Sequence, residues 1–322
     1  MASSSIDESS VRPAAWKTLL AFSIVYFVWG STFLAIRVGV REAPPLLLAG
    51  ARFLAAGAIL FAWLLAKRTA LPTRREWGSA SVIATLIFLI DYGLLFWAEQ
   101  RVPSGIAAVM MATIPVFLGL LEIIFLRTQR LTVRLAIALL VGMFGVAVLM
   151  SRSAAFGEAP IASAGAAGLL VASVSWSVAT ILTRKLPLPA SKPMSSAAQM
   201  LMGGIFLLIA AAALGEFRGF QVQAVSARAW FSLIYLIVAG SIIGFTAYVW
   251  LIHHESPTKV ATYAYVNPVV AVVIGYFLGG EGIGSRTILG TLLILVSVIV
   301  ITTMPAKKAE TPVWTLKAEA GE

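Results

Sequence analysis

The chain has no cysteine, so disulfide frameworks, thiolate nucleophiles and cysteine-ligated metals are all excluded. Histidine is nearly as scarce, with two residues in 322, His253 and His254, and neither faces an obvious serine nucleophile. Charged residues make up 12% of the chain, about half the share of a soluble domain. No glycine-rich phosphate loop ending in lysine occurs, which excludes an ATP-driven pump within this chain. Asp91 has no second acid at its level in the pattern, so the paired carboxylates of an intramembrane hydrolase are missing too. No cofactor or metal is expected.

Apolar sequence is what remains. Sixty per cent of the residues are hydrophobic and the mean hydropathy is +0.93, more than a soluble surface can hide. Stretches long enough to cross a bilayer, about 20 residues each, fall at 18–36, 43–66, 77–98, 102–121, 159–183, 193–215, 229–252, 260–280 and 287–306, with a shorter one at 135–151. Only 43–66 and 77–98 carry an internal charge, Arg52 and Asp91. The expectation is an all-α integral membrane protein of ten spans. The first run follows a polar, serine-rich segment and Lys17 and lacks a small-residue cleavage site, so it reads as a signal anchor. The net charge of +10 sits in links between apolar runs, as flanks of membrane spans require, and nucleic acid is not expected as a partner. With the N-terminus inside, the internal segments hold 16 Lys and Arg and the external ones 7. The positive-inside rule therefore places both termini in the cytoplasm of a cell whose inner membrane carries the protein.

The two halves resemble each other. Trp29 and Arg37 match Trp176 and Arg184 at an offset of 147, which also sets Arg52 opposite Gln199. Later, at an offset of 153, Trp97 matches Trp250, Ala108 matches Ala261 and Pro115 matches Pro268. Residues 17–151 and 159–304 thus form two repeats between tails at 1–16 and 305–322. Five spans per repeat is an odd number, so the second inserts inverted, the pattern of alternating-access transporters. Pro115 and Pro268 lie mid-span, where proline frees a carbonyl one turn back. Both are candidate hinges, with a packing kink as the plainer alternative. Arg52 and Asp91 lie at about the same depth, about 10 Å in at 1.5 Å per residue. Buried charges normally pair, so these two are expected to meet, either as a structural ion pair or as part of proton coupling. Glu99 and Glu281 should cap or pair at helix ends, and Glu122 should pair at the interface near Arg127 and Arg130. The spaced glycines Gly240 and Gly244, and Gly275 and Gly279, read as close-packing positions.

Trp97-Ala98-Glu99-Gln100, Pro103-Ser104-Gly105-Ile106-Ala107-Ala108 and Pro115 resemble helices three and four of the EamA-domain branch of the drug/metabolite transporter superfamily. Ser256-Pro257, Ala261, the run Tyr263 to Ala271 and Gly280-Glu281 resemble the matching second-half block, and its YedA-like permeases are the nearest in pattern. The resemblance covers about residues 17–304. It implies ten helices around a central cavity lined by helices one, three, four, six, eight and nine. It also implies export of amino acids, other metabolites or toxic compounds, often driven by protons or another ion. One departure is that the match to Glu281 in the first half is Thr128.

On that basis the candidate substrate-binding residues are Trp29, Tyr92, Trp97, Trp176, Tyr248, Tyr263 and Tyr265 as aromatic walls, with Asn267 and Thr113 as polar groups. Each aromatic alone also fits an interfacial belt, and Asn267 fits a helix-to-helix hydrogen bond. The expected function is secondary-active export of small metabolites such as amino acids. A multidrug exporter of amphipathic cations is the alternative, and a channel or non-transporting scaffold is the alternative of another class. Membrane lipid and a small-molecule substrate are the expected partners, and a homodimer is left open.

Overall fold

The computed structural model describes residues 14–121, 123–124, 132–150, 162–255, 260 and 262–303. The described residues are almost wholly helical. Seven helices are long and apolar enough to cross a membrane: α1 (Ala15–Val40), α2 (Pro45–Ala66), α3 (Arg74–Glu99), α4 (Ser104–Leu121), α6 (Ser163–Thr183), α7 (Lys192–Ala213) and α8 (Ala227–Leu251). The expected spans at 135–151, 260–280 and 287–306 are shorter apolar helices, α5 (Val133–Leu149), α9 (Tyr263–Gly279) and α10 (Ser285–Ile301). Large apolar side chains such as Phe27, Leu140, Phe231 and Phe277 point outward. That exposure suits a lipid solvent, which offers no penalty for it and forces each backbone N–H to bond within its own helix.

Successive helices run in opposite directions. The links 41–44, 100–103, 214–226 and 280–284 share one end of the bundle, the far end, remote from Ala15. The links 67–73 and 184–191 lie at the other, near end. The main core joins Ile36 and Val40 of α1, Phe53 of α2, Phe88 and Phe96 of α3, Met110 of α4, Leu169 of α6, Leu207 of α7 and Leu236 of α8.

Without a hydrophobic force between helices in lipid, association relies on close van der Waals contact and small residues. Two seams show this. Where α2 meets α7, a Cβ added at Gly204 would lie 2.4 Å from Leu54 N, and one at Gly57 would lie 2.7 Å from Leu201 N. Where α5 meets α10, Cβ atoms at Gly142 and Gly145 would lie 2.6 Å from Ser297 Oγ and 2.9 Å from Ile294 Cγ1. The expected glycines do different work. Gly240 and Gly244 make room for side chains, since Cβ atoms there would approach Thr32 at 2.8 Å and the Trp29 indole at 2.5 Å.

Among the described residues, complete π-helical stretches lie at Ile24–Val28 in α1, Thr85–Tyr92 in α3 and Leu236–Ile243 in α8, and residues 123–124 after α4 are wound the same way. Wide turns of this kind redirect backbone carbonyls and recur at functional sites. The two prolines also act differently. Pro115 begins the segment Ile114–Leu121 just after a break at Ala112–Thr113, whereas Pro268 lies inside a continuous α9. Glu122, Arg127, Thr128, Arg130, the His253 side chain, Ser256-Pro257, Ala261, residues 1–13 and the C-terminal tail lie outside the described residues.

Candidate functional site

The wide turn of α8 is bridged from two sides. Trp29 Nε1 donates to the Gly240 carbonyl at 3.1 Å, and Arg52 Nε donates to Ser241 Oγ at 3.1 Å. Ser241 Oγ in turn donates to the Leu236 carbonyl at 2.9 Å, filling an acceptor five residues back. The wide turn of α3 is bridged from α6, where Ser175, beside Trp176, donates to the Leu86 carbonyl at 2.8 Å.

Two aromatic groups grow from these turns. Trp29, Tyr248 and Tyr263 form one, with ring centroids 5.2, 5.5 and 5.8 Å apart. Tyr92 anchors the other, 4.6 Å from Phe53, 5.9 Å from Phe88 and 6.2 Å from Trp176. The expected aromatics in these groups are half-buried rather than sealed. Tyr265 is half-buried as well and packs against the main core. Asn267 is buried, with its Oδ1 unpartnered, and its backbone carbonyl faces Gly30 of α1. That leaves a donor–acceptor group with spare acceptor capacity beside Pro268.

Three expectations need correction. Arg52 and Asp91 are both buried but form no ion pair with each other. The Arg52 guanidinium lies 4.6 Å from the Phe53 ring centre and 5.4 Å from that of Tyr92, so ring faces and Ser241 replace the carboxylate. Both Asp91 oxygens have no hydrogen-bond partner. Thr113 is fully buried, and its hydroxyl donates to the Met110 carbonyl at 2.6 Å across the break in α4, so it is not presented to a ligand. Trp97 stands apart from both aromatic groups, between Gly168 of α6 and the Arg101 guanidinium, 4.3 Å from its ring centre. Its partner in the sequence repeat, Trp250, stacks on His254 at 4.2 Å.

The far end holds a site the sequence reading underweighted. Glu281 Oε1 accepts from Ser104 N and Oγ, each at 2.7 Å, and Oε2 accepts from Gly105 N at 3.0 Å. The carboxylate thus satisfies the orphan donors at the start of α4, where the helix dipole also favours negative charge. Left-handed Gly280 (φ +64°) turns the chain so that Glu281 N returns to the Gly275 carbonyl at 3.0 Å. Gly275 leaves room for the carboxylate in this position, since a Cβ there would meet Glu281 Oε2 at 2.6 Å. Arg37 of α1 completes the clamp. Its Nη1 donates to the carbonyls of Glu99 at 2.7 Å and Val102 at 2.5 Å, and its Nε lies 3.3 Å from Glu281 Oε1. That last contact is an ion pair without hydrogen-bond alignment. Glu99, expected to cap or pair, is fully buried with neither oxygen hydrogen-bonded. The spacing of Trp29 and Arg37 was visible in the sequence, but only as a repeat mark.

Residues 16–151 and 163–303 each match the model of the EamA-like transporter family. The chain belongs to that family, and its class is membrane transporter rather than enzyme. It is 37% identical to the uncharacterized inner membrane transporter YedA of Escherichia coli (strain K12), over 91% of this chain and 94% of that protein. It is 26% identical to YoaV, an uncharacterized transporter of Bacillus subtilis (strain 168), over 86% and 94%. To the protein PecM of Dickeya dadantii (strain 3937) it is also 26% identical, over 85% and 88%. A solved crystal structure superposes with a TM-score of 0.61 at 19% identity, covering 90% of this chain and 98% of that one, a likeness of fold alone.

Proposed function

We propose that the protein is a secondary-active carrier that exports small metabolites, amino acids or related compounds, by alternating access. In this reading two inverted five-helix halves, 17–151 and 159–304, enclose a binding region between the two aromatic groups. Both termini are cytoplasmic, in an inner membrane like that named for the Escherichia coli relative. The observation that carries the proposal is the matched pair of bridges. A residue at the Trp29 level of α1 holds the wide turn of α8, and one at the Trp176 level of α6 holds the wide turn of α3. In an inverted repeat those contacts exchange, which is the geometry two interconvertible packings need. The double match to one family model supports the same division.

Substrate would lie among Trp29, Tyr248 and Tyr263 on one side and Tyr92 and Trp176 on the other, with Asn267 offering its free oxygen. Apolar walls with a few convergent polar groups are the usual form of a small-molecule site. Arg52 already occupies the ring faces of Phe53 and Tyr92, which favours neutral or zwitterionic substrates over amphipathic cations. The test is counterflow in proteoliposomes, with labelled amino acids on one side and unlabelled ones on the other, and cationic dyes in parallel. The carrier reading expects exchange stimulated by substrate on the far side and lost in Trp176→Ala and Asn267→Ala. Movement of dyes alone would establish the multidrug alternative, and flux without exchange stimulation a channel.

A further inference from the structure

Glu99 closes the last turn of α3, wholly buried, with both carboxyl oxygens unpartnered. The charged groups within reach are Arg37 from α1, Arg52 from α2 and Glu281 from the link between α9 and α10. Arg52 spends its Nε on Ser241 and lies over two rings, with its Nη1 left without a hydrogen-bond partner. Arg37 stands between two carboxyl groups and pairs with one. It holds the backbone carbonyl of Glu99, yet its ion pair is with Glu281. A buried carboxylate with no donor is strongly disfavoured, and neutralisation is the usual remedy.

We propose that Glu99 is a proton-binding site coupled to the far-end clamp. With Glu99 protonated, Arg37 stays on Glu281, and Glu281 ties the α9–α10 link to the start of α4. When the clamp opens, Glu281 gives up Ser104 and Gly105 to water and Arg37 turns to Glu99. The Glu99 O–H bond then breaks and the proton leaves to the solvent that the opening admits. No electron moves, and the total charge of the protein falls by the one proton released. A metal ion suits this site poorly. It needs several oxygen ligands, two guanidinium groups lie nearby, and no cluster of three or more His, Cys, Asp or Glu occurs among the described residues. The proposal rests on the carrier reading and supplies its coupling ion.

The absence of native cysteine makes the test direct. Arg101→Cys and Gly282→Cys place labels on the exposed α3–α4 and α9–α10 links, and a Cβ at 282 has nothing within 4 Å. Spin-label distances are read across a pH series in lipid nanodiscs, alongside counterflow in vesicles. The expected result is a short distance in acid that lengthens as pH rises. Glu99→Gln should hold the short distance at every pH, while Glu99→Asp should keep the response with a shifted midpoint. A full response in Glu99→Gln, an unshifted midpoint in Glu99→Asp, a response abolished by Asp91→Asn, or a response to sodium instead of pH would each overturn the assignment. Counterflow that ignores pH would sink the proton site and leave the carrier. A pH-driven opening lost in Glu99→Gln, with no counterflow of any substrate, would keep the proton site and sink the carrier.

Discussion

The two ends of the bundle solve the same problem in opposite ways. Every helix start leaves backbone N–H groups without intrahelical acceptors. At three near-end starts those groups are met locally. Thr73 and Glu76 form a reciprocal capping box on α3, with Glu76 Oε2 2.7 Å from Thr73 N. Thr132 accepts from Leu135 N at 3.2 Å and Ser191 from Met194 N at 3.4 Å, starting α5 and α7. At three far-end starts acceptors come from the other half of the chain, at α8 alongside a local cap, since Ser226 Oγ also accepts from Ala229 N at 3.3 Å. Glu216 accepts from Leu46 N and Leu47 N at the start of α2, Glu281 caps α4, and Glu42 accepts from Ser226 N and Oγ at the start of α8. Of the near-end helices, α3, α5 and α7 carry their own caps and can part without exposing those N–H groups. The starts of α2, α4 and α8 cannot leave these partners until three glutamates let go, so the far end is tied across the two halves of the chain. Consistent with that, α9 packs on the far segment of α4, Ser104–Met111, whereas Ile114–Leu121 packs chiefly on α6.

The largest effect expected from breaking this contrast is at Glu281. Glu281→Ala leaves three donors without their acceptor and removes the ion-pair partner of Arg37, whose Nη1 keeps its two carbonyls, so a stability loss of about 3–5 kcal/mol is expected. Thermal unfolding in detergent should show it as the deepest fall in Tm of any single cap removal. An unchanged Tm would mean that the far end is not held by this clamp. Glu216→Ala comes next at about 1–2 kcal/mol, because its two acceptor bonds are more open to water. Hydrogen exchange should quicken at the start of α2 and at the 214–226 link together, since both lose the same tie.

How much of this was legible in the sequence follows from what distance and direction each require. Hydropathy located the helices because span length is a property of consecutive residues, and depth placed Arg52 and Asp91 at one level. Direction was lost. In a regular helix each residue advances about 100° around the axis, so one wide turn in α3 re-aims every later side chain. Asp91 lies within such a stretch, and no residue type announces it. Trp29 and Trp176, which the structure sets beside the wide turns of α8 and α3, stand out in the sequence because repetition marks them without any knowledge of direction. Trp97 was misplaced for the converse reason, since its repeat mark carried no information about which face of α3 it uses. The glutamate caps were half visible. Gly280-Glu281 signals a helix end, but a cap supplied from 177 residues away has no local spacing to read.

Thr73→Ala probes the near end and should cost about 1 kcal/mol, the usual value for a lost N-cap. The loss should stay within the first turn of α3, with faster exchange near residues 74–77 and counterflow unchanged. If counterflow fell as far as in the Glu281 variant, the near end would be as coupled as the far one and the contrast would be false.

The smallest effect is at Glu42, which is fully exposed. Hydrogen bonds from Ser226 N and Oγ hold its carboxyl below the ordinary glutamate range, with the Arg228 charge adding to them and slight burial opposing. A carboxyl depressed by folding stabilises the protein above its unfolded value, and that contribution is lost as pH falls through the folded one. Wild type should therefore lose a small increment of Tm in the acid range that Glu42→Gln never had. Ser226→Ala removes one of the two donors and also the side-chain cap that Ala229 N uses, so it should lower Tm at every pH and narrow the acid window without abolishing it, because the backbone N–H remains. A wild-type profile flat through acid would show that Ser226 finds water as good a partner as Glu42. The far end would then be tied by Glu216 and Glu281 alone, with α8 free to leave α1 first.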